Sequence, residues 1–418
     1  LQEPYVSPGG PDTTSMGASA AVVMRGQLFA VSAYVDDGRY NQSNGTEGVQ
    51  AIASATASLD HAPWNAGTNL AMRASDGAFN ASRELVTVNI DTRNLAIGRH
   101  VVYVRGTDAS GRAGTPSAIY FDVRPFRSAH DFDGDLHSDV VWRNGGTGDN
   151  QMWRSANIAA NVVLPRVAGA LRVVQGDFDG DGKSDLMWRN YSNGQDLIWR
   201  SGNRATPMAV TTVTNTAWVV VGVGDFDGDG KSDLFWRNSS TGQDSIWRSA
   251  NSATQIATAT VSDLNWQVVG VGDFDADGRS DVLWRNTRTG ANSIWRRGSA
   301  ASSLSLSGVT NMAWKIVGVG DFDNNGSADI FWRNTSTGVN AIWRAGNINA
   351  QQGVSAASTA WKVAAIGDFD ADGYADVAWR NVQTGQNGIW KRANSATQLS
   401  MGAVGSQSWQ MVPYENQP

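Results

Sequence analysis

Short apolar segments separated by polar turns recur along most of the chain, and within a segment apolar and polar positions tend to alternate. One unit of this pattern runs from residue 218 to residue 261. Alternation over a few residues, bounded by Gly, Asn, Asp or Ser, is typical of β-strands. The unit therefore predicts four successive strands, with the sequences WVVVGVGDF, SDLFWRN, DSIWRS and TQIATATV, the last being the weakest.

The same unit returns at a nearly constant spacing, which makes the repeat the dominant feature of the sequence. An acidic motif that begins with Asp-Phe-Asp occurs at six positions, 46 to 48 residues apart. These positions are Asp131, Asp177, Asp225, Asp273, Asp321 and Asp368. Four short strands in about 48 residues match one blade of a β-propeller.

The two ends of the repeat region predict how the ring of blades closes. The first unit lacks an apolar strand before its acidic loop, whereas the C-terminus carries an extra strand sequence, SWQMV, at 408–412. If this strand completes the first blade, no sheet edge is left exposed. We therefore expect a six-bladed propeller over residues 126–418 that is closed by the C-terminal strand, although the count leaves room for a seventh, degenerate blade.

Residues 1–125 lack the repeat and predict a separate domain. Alternating segments such as RELVTVNI, RHVVYVRG and SAIYFDV are separated by clusters of Gly, Asn and Asp. About 110 residues of this kind are typical of an immunoglobulin-like β-sandwich, here without its disulfide because the chain has no Cys. The first residues, LQEPYVSPGGPDTT, resemble a linker, and we expect the boundary near 124–126. The predicted fold class is all-β.

Each acidic loop is a nine-residue sequence with the chemistry of a calcium site. In DFDGDGKSD, residues 225–233, carboxylates occupy positions 1, 3, 5 and 9. Calcium prefers six to eight oxygen ligands, and a tight loop with oxygens on alternate residues supplies them. Position 7 contributes its backbone carbonyl, so its side chain varies, and glycine at position 6 allows the sharp turn. We predict about six calcium ions, one per repeat.

The predicted metal-binding residues are Asp131, Asp133, Asp135, His137, Asp139, Asp177, Asp179, Asp181, Lys183, Asp185, Asp225, Asp227, Asp229, Lys231, Asp233, Asp273, Asp275, Asp277, Arg279, Asp281, Asp321, Asp323, Asn325, Ser327, Asp329, Asp368, Asp370, Asp372, Tyr374 and Asp376.

An alternative interpretation is that these Asp residues only cap turns and face solvent, as isolated Asp-Gly turns usually do. Six copies in phase, each acidic at position 9, favour metal binding instead. The loops hold 23 Asp, and carboxylates crowded together without a cation repel one another. Six divalent ions would change the formal net charge from −6 to +6, so the acidic isoelectric point is a property of the empty protein. Because no helix pairs flank the loops, we expect a structural role and not a switch.

Two loops depart from the pattern. Leu136 replaces the glycine at position 6 of the first loop, where a positive φ strains any residue with a side chain. Asn325 places a neutral oxygen donor at position 5 of the fifth loop. We expect these to be the two weakest calcium sites.

The repeat units resemble a known family. The sequences VGVGDFDGDGKSDLFWRN, VGVGDFDADGRSDVLWRN and VGVGDFDNNGSADIFWRN resemble FG-GAP repeats of the VCBS type, which occur in integrin α-subunit propellers and many secreted bacterial proteins. The resemblance covers residues 126–418 and implies a β-propeller with calcium bound in the six nonapeptides.

A looser resemblance covers the first 125 residues. Phrases such as APWNAGTNLAMRASDGAFN and IGRHVVYVRGTDASGRAGTPSAIYFDV resemble the region that follows the catalytic domain in secreted bacterial zinc carboxypeptidases. Such an enzyme needs a His-x-x-Glu pair, and no His of this chain has a Glu three residues later. The resemblance implies that the chain is the non-catalytic C-terminal portion of such a precursor.

Other catalytic signatures do not occur in the sequence, which has no Gly-x-Ser-x-Gly elbow, P-loop or dinucleotide fingerprint. We therefore expect that this chain by itself is not an enzyme. Of the 18 Trp, 17 recur in phase with the repeat, which predicts packing between blades with Arg stems stacked on them. The Arg-Asn pairs at 189–190 and 237–238, with the variable turns after them, are expected to reach a ligand. Propeller lectins repeat one such sugar site per blade.

These features predict a secreted, calcium-stabilised, non-catalytic module for binding or adhesion to a glycan, a protein or a cell surface. No run approaches 18 apolar residues, so we expect no membrane span, and we expect no nucleic-acid partner. One alternative is that the chain targets a carboxypeptidase-like hydrolase of the same precursor. Another is that it self-assembles as a subunit of an extracellular fibre or coat, and its oligomeric state is left open.

Overall fold

The structure is a computed structural model that describes residues 10–19, 21–24, 28–38, 48–65, 67–92, 95–96, 98–124, 130–169 and 171–412. The chain divides into two compact units, residues 1–126 and 127–418. The predicted linker sequence before residue 10 and most of the predicted boundary, at 125 and 126, lie outside the described residues. No helix in the described part of the chain has the length and apolar character needed to cross a membrane.

The N-terminal unit consists of strands in its described residues. They are β1 (Asp12–Ala18), β2 (Val22–Met24), β3 (Leu28–Asp36), β4 (Ile52–Leu59), β5 (Asn69–Ala71), β6 (Arg73–Ala74), β7 (Arg83–Asp91), β8 (Gly98–Asp108) and β9 (Ser117–Arg124). Within the described ranges they form two sheets, with the orders β1-β3-β7-β6 and β2-β9-β8-β4-β5.

These two sheets form a β-sandwich because alternation gives each of them one apolar face. In β3 every second side chain is buried, and in β8 the same alternation buries Val102 and Val104. One continuous core joins residues of both sheets, and the rings of Phe29 and Phe121 stack across it with centroids 3.9 Å apart. The immunoglobulin-like assignment of this sandwich stays a prediction.

The C-terminal unit repeats one element order. Its strands are β10 (Val140–Asn144), β11 (Asn150–Trp153), β12 (Asn161–Leu164), β13 (Leu171–Gly176), β14 (Asp185–Asn190), β15 (Asp196–Trp199), β16 (Pro207–Ala209), β17 (Trp218–Gly224), β18 (Asp233–Asn238), β19 (Asp244–Trp247), β20 (Gln255–Ala257), β21 (Trp266–Gly272), β22 (Asp281–Asn286), β23 (Asn292–Trp295), β24 (Ser303–Leu306), β25 (Trp314–Gly320), β26 (Asp329–Asn334), β27 (Asn340–Trp343), β28 (Gln351–Val354), β29 (Trp361–Gly367), β30 (Asp376–Asn381), β31 (Asn387–Trp390), β32 (Gln398–Met401) and β33 (Trp409–Met411).

Short 3-10 turns follow the third strand of each sheet of the C-terminal unit. They span Arg154–Ala156, Ile158–Ala160, Arg200–Gly202, Arg248–Ala250, Ser252–Thr254, Arg296–Gly298, Ala300–Ser302, Arg344–Gly346, Ile348–Ala350 and Lys391–Ala393. Neither unit contains an α-helix among the residues that the structure describes.

The described strands of the C-terminal unit form six antiparallel four-stranded sheets, which we call blades 1 to 6. Blade 1 has the order β12-β11-β10-β33, and blades 2 to 6 take consecutive strands from β13 to β32. The strand β33 pairs with β10, with Met411 opposite Trp142, so the first blade combines strands from both ends of the unit. The all-β prediction with repeated four-stranded sheets is confirmed.

The cores of this unit lie between neighbouring blades. One cluster joins Ile198 of blade 2 to Trp236 of blade 3, and another joins Ile389 of blade 6 to Trp142 of blade 1. The six sheets therefore form a closed ring, as in a β-propeller. Close approach of the inner strands requires glycine at Gly222, where an added Cβ would lie 2.7 Å from a methyl group of the next blade.

Candidate metal centres

Each acidic loop lies at the same end of its blade, directly before the second strand. We number the loops 1 to 6 by blade: 131–139, 177–185, 225–233, 273–281, 321–329 and 368–376. Hydrophobic strands fix both ends of loops 2 to 6, and β10 follows loop 1. The residues of each loop fold back on their own carboxylates.

The carboxylate at position 1 holds the backbone of its own loop. In loop 3, Asp225 accepts hydrogen bonds from the N–H groups of Gly228 at 2.6 Å and Gly230 at 2.8 Å. Position 6 must adopt a positive φ to make this bond, and it is +88° at Gly230. Leu136 adopts the same conformation in loop 1, with φ at +71°. Because Leu has a side chain, the backbone is strained there, as expected from the sequence.

The carboxylate at position 9 ties the loop to the turn after the third strand. Asp233 accepts hydrogen bonds from the N–H of Phe226 at 2.9 Å and from the N–H of Ser249 at 2.7 Å. Its exposed fraction is 0%. The equivalent pair of bonds occurs in all six loops, so position 9 presents buried carboxylate oxygens in a fixed place.

Carboxylate oxygens converge within each loop to distances that suit one metal ion. Three of them lie within 4.8 Å of one another, drawn from positions 1, 3 and 9 in most loops and from positions 1, 3 and 5 in loop 3. The groups are Asp131, Asp133 and Asp139; Asp177, Asp179 and Asp185; Asp225, Asp227 and Asp229; Asp273, Asp275 and Asp281; Asp321, Asp323 and Asp329; and one more.

Two features of this donor set fit a hard divalent cation such as calcium. The oxygens come from carboxylates in a tight loop, which is the ligand type calcium prefers. One oxygen each of Asp323 and Asp370, both at position 3, is buried and has no hydrogen-bond partner among the residues that the structure describes. A buried carboxylate oxygen without a partner is costly, and a bound cation would satisfy it.

Burial in these loops shifts the acidity of the position-9 carboxyls. Burial is the largest cause, and together with the repulsion of neighbouring carboxylates and against the opposing effect of backbone N–H donors it raises the pKa of Asp139, Asp185 and Asp233 to about 7. Asp376 is likewise raised to about 7, and the pKa of Asp281 is raised to about 6. Without a cation, the four carboxyls with a pKa of about 7 are partly protonated near neutral pH.

A basic side chain lies against the position-3 carboxylate of every loop, a feature that sequence reasoning missed. In loop 3, Nε of Arg248 lies 3.0 Å from a carboxylate oxygen of Asp227. The equivalent pairs are Arg154 with Asp133, Arg200 with Asp179, Arg296 with Asp275, Arg344 with Asp323 and Lys391 with Asp370. The signal was present in the sequence as a basic residue after the second Trp of each repeat.

Backbone hydrogen bonds join the six loops into a ring. The N–H at position 8 of one loop donates to the carbonyl at position 1 of the preceding loop, for example from Ser232 to Asp177 at 2.6 Å. The other bonds are Ser184 to Asp131, Ser280 to Asp225, Ala328 to Asp273, Ala375 to Asp321 and Ser138 to Asp368, all between 2.6 and 2.7 Å. The bond from loop 1 to loop 6 closes the ring, so the loops hold neighbouring blades together.

Positions 5 and 7 have other roles in this geometry. The position-5 carboxylate mostly accepts the N–H of position 7, as Asp181 does from Lys183 at 2.8 Å. The position-7 side chains of Lys183 and Lys231 lie over Gly134 and Gly180 of the preceding loops. The ring of His137 stays in its own loop, with Nδ1 3.1 Å from the carbonyl oxygen of Asp135. That position 7 binds the metal through its backbone carbonyl stays a prediction.

The expectation that the Arg-Asn pairs reach a ligand is wrong for their arginines. Arg189 and Arg237 are only 1% and 3% exposed. Arg237 pairs with Asp244 at 2.9 Å, donates to the carbonyl of Val261 at 2.9 Å and stacks over the ring of Trp284 at 4.9 Å. These arginines are buried because the neighbouring blade supplies an aromatic face and the outer loops supply acceptors.

The predicted packing role of the Trp residues is confirmed for most of them. The six Trp of the second strands are 0–3% exposed. Each packs at a tilted angle against a Trp of the third strand, with ring centroids 4.7–4.9 Å apart. The corresponding arginines stack on the Trp of the next blade all round the ring.

One cavity brings aromatic and polar groups together near the outer part of blade 4. Its volume is about 400 Å³, and its lining includes Trp266, Trp295, Ser293 and Ser305. Trp266 is half-buried and Ser305 is exposed, so the cavity opens to solvent. Aromatic faces beside hydroxyl groups suit the flat apolar face and polar edge of a sugar ring.

Comparison with known proteins matches the repeat region to one family. The FG-GAP-like repeat matches residues 131–188, 177–236, 225–284, 273–332 and 321–379, which together cover more than half of the chain. None of the curated proteins matches the chain.

Two solved structures show weak similarity. A mutant of the SrpA adhesin from Streptococcus sanguinis is 14% identical, with 50% of this chain and 94% of that chain covered and a TM-score of 0.19. The sialic acid binding region of an adhesin from Streptococcus sanguinis SK1, bound to 3'sLn, is 14% identical, with 57% of each chain covered and a TM-score of 0.22. Similarities at these TM-scores do not bear on the fold or the ligand.

Proposed function

Because this chain belongs to the FG-GAP-like repeat family, we propose that it is a secreted, calcium-stabilised propeller module that acts by binding and not by catalysis. The observation that carries the proposal is the closed ring of six acidic loops. Each loop presents converging carboxylates, and each is bonded to its neighbour through backbone groups.

The carboxylates at positions 1, 3, 5 and 9 would hold the ion, together with the backbone carbonyl at position 7. Bound calcium supplies positive charge that compensates the clustered carboxylates. The protein's own contribution is to fix the oxygens in place, since in loop 3 position 1 already accepts three backbone hydrogen bonds and position 9 accepts two. Ordered loops in turn keep adjacent blades in contact through the ring of backbone bonds.

We propose a glycan as the ligand class, at the outer cavity of blade 4. The support is the combination of the half-buried Trp266 with the hydroxyl groups of Ser293 and Ser305 in a cavity of about 400 Å³. That volume falls in the range of small-molecule sites. The role is then attachment of a larger exported protein to a carbohydrate surface. We also propose that the chain is the C-terminal part of a carboxypeptidase-like precursor. An upstream reading frame that encodes a His-x-x-Glu motif would support this.

Two measurements test the function. Calorimetric titration of chelator-treated protein with calcium chloride should give about six ions per chain, and absence of uptake would contradict the metal role. A glycan array with calcium should then give specific binding that disappears in chelator.

Variants of the cavity locate the ligand. Trp266→Ala and Ser305→Arg should abolish the array signal, whereas Trp64→Ala, which removes an exposed Trp of the other unit, should leave it unchanged. Binding that survives both cavity variants would place the ligand elsewhere. If the parent protein binds no glycan on the array, the proposed ligand class is contradicted.

A further inference from the structure

One residue in each blade lies beside the acidic loop in a left-handed backbone conformation. It is the second residue of the 3-10 turn that begins with the basic partner of position 3, and we call it the turn residue. The turn residues are Ser155, Ser201, Ser249, Arg297, Ala345 and Arg392. Their φ values lie between +46° and +53°. In all six blades the N–H of the turn residue donates to the position-9 carboxylate, at 2.7–2.8 Å.

The backbone is thus the same in every blade, but the side chain is not. In loop 4, Arg297 donates from Nε to the position-5 carboxylate of Asp277 at 2.7 Å, and a second guanidinium nitrogen lies 2.6 Å from the same group. In loop 6, Arg392 donates to Asp372 at 2.9 Å and stacks on the ring of Tyr374 at 3.7 Å. A serine or alanine occupies this place in the other loops.

This difference changes the charge of the loops. Counting only the Asp residues and the basic side chains paired with them, loops 1 to 3 each have four Asp and one paired Arg, a formal charge of −3. This count leaves out position 7, which is basic at Lys183, Lys231 and Arg279. In loops 4 and 6 an arginine is the second paired basic residue, so the same count gives −2. Loop 5 reaches −2 in another way, because it has only three Asp beside Arg344.

We propose that the turn residue sets the cation affinity of its loop. An arginine there competes with the ion for the position-5 carboxylate, so loops 4 and 6 bind calcium more weakly than loops 2 and 3. This inference rests on the proposed calcium sites and assigns them two affinity classes. It also differs from the expectation that Leu136 and Asn325 alone mark the weak sites.

The expected size follows from the exposure of these ion pairs. An exposed pair is worth up to about 1 kcal/mol, which corresponds to a change in affinity of about two- to fivefold. Because the pairs are exposed, the difference between the loop classes should shrink at high salt.

The chain itself supplies the reciprocal substitutions that test this. One variant, Arg297→Ser with Arg392→Ser, gives loops 4 and 6 the turn residue of loops 1 to 3. The other, Ser201→Arg with Ser249→Arg, gives loops 2 and 3 the turn residue of loop 4. Both residue types already occupy this left-handed position, so the folds should persist, and thermal melts in calcium check this. Arg288→Ser removes an exposed arginine outside the loops and controls for net charge.

Calcium chloride titration by calorimetry reads out the affinities. We expect the serine variant to tighten two sites by about two- to fivefold and the arginine variant to weaken two sites by a similar factor, while Arg288→Ser matches the parent. If the parent binds calcium and the reciprocal variants bind it equally well, the inference is overturned and the proposed function stands. If the parent binds no calcium, both fail.

Discussion

Removal of calcium should reverse the pH dependence of the stability of the propeller. In the metal-free protein, burial raises the pKa of the position-9 carboxyls of four loops from 3.8 to about 7. A carboxyl whose pKa is higher in the folded than in the unfolded state stabilises the fold while it is protonated. That contribution is complete below pH 3.8 and is lost as the pH rises through about 7.

The magnitude is large compared with the stability of a domain. One pKa unit corresponds to about 1.4 kcal/mol, so ionising one of these carboxyls in the empty protein costs several kcal/mol. A domain is typically stable by about 5–15 kcal/mol, so two or three such groups ionised together remove most of it. We expect the melting temperature in chelator to fall by about 10 °C or more between pH 5 and pH 8.

With calcium the slope should have the opposite sign, because the ion favours the ionised carboxylates and is displaced by protons. The assay is thermal unfolding followed by Trp fluorescence, which reports on the propeller because 17 of the 18 Trp lie in the repeats. Profiles are recorded from pH 5 to pH 8 in chelator and in calcium chloride. A chelated protein that is more stable at pH 8 than at pH 5, or two profiles of equal slope, would refute the reasoning.

Three further predictions concern single side chains, each measured by urea unfolding in calcium. Arg237→Met should destabilise the protein by about 3–5 kcal/mol, because it leaves the buried carboxylate of Asp244 without its cation. Asp244→Asn should cost less than about 1 kcal/mol, because in the next blade Asn292 accepts a hydrogen bond from Arg285 at 2.9 Å. Equal costs would contradict a charge-based explanation. Leu136→Gly should stabilise by about 0.5–1 kcal/mol by relieving the positive φ, and a loss of stability would show that its side chain contributes packing. Trp284→Phe should lower the free energy of unfolding by only about 1–2 kcal/mol, because the buried indole N–H of Trp284 has no hydrogen-bond partner among the described residues. A loss as large as that of Trp284→Ala would indicate that the indole N–H does make a hydrogen bond.

The strand pattern and the acidic spacing could be read from local sequence. The alternation in WVVVGVG and the apolar DLFW segment correspond to β17 and β18, since strand formation here depends on which residues face a core. The carboxylates at positions 1, 3 and 9 converge because they belong to one nine-residue turn, so their proximity follows from chain geometry alone. Calcium in these loops stays a prediction.

The arginines could not be assigned in the same way. Arg237 follows Trp236 in a strand and looks in the sequence like a polar residue at a strand end. Its partners lie seven residues away at Asp244 and 47 residues away at Trp284 in the next blade, so its burial depends on how two blades pack. The contact of Arg248 with Asp227 lies within one blade, and its only signal in the sequence was the basic residue after the second Trp of each repeat.

By itself, then, the sequence determined the secondary structure, the number of repeats and the placement of clustered carboxylates in loops, because each of these depends on residues close together in the chain. The sequence also predicted that the C-terminal strand completes the first blade, but only the tertiary structure decided which side chains and backbone groups join neighbouring repeats. The bond from Ser138 to Asp368 and the stacking of Arg380 on Trp142 link the two ends of a unit of nearly 300 residues. Contacts at that separation exist only once the ring has closed, because the blades between them set the distance at which the ends meet.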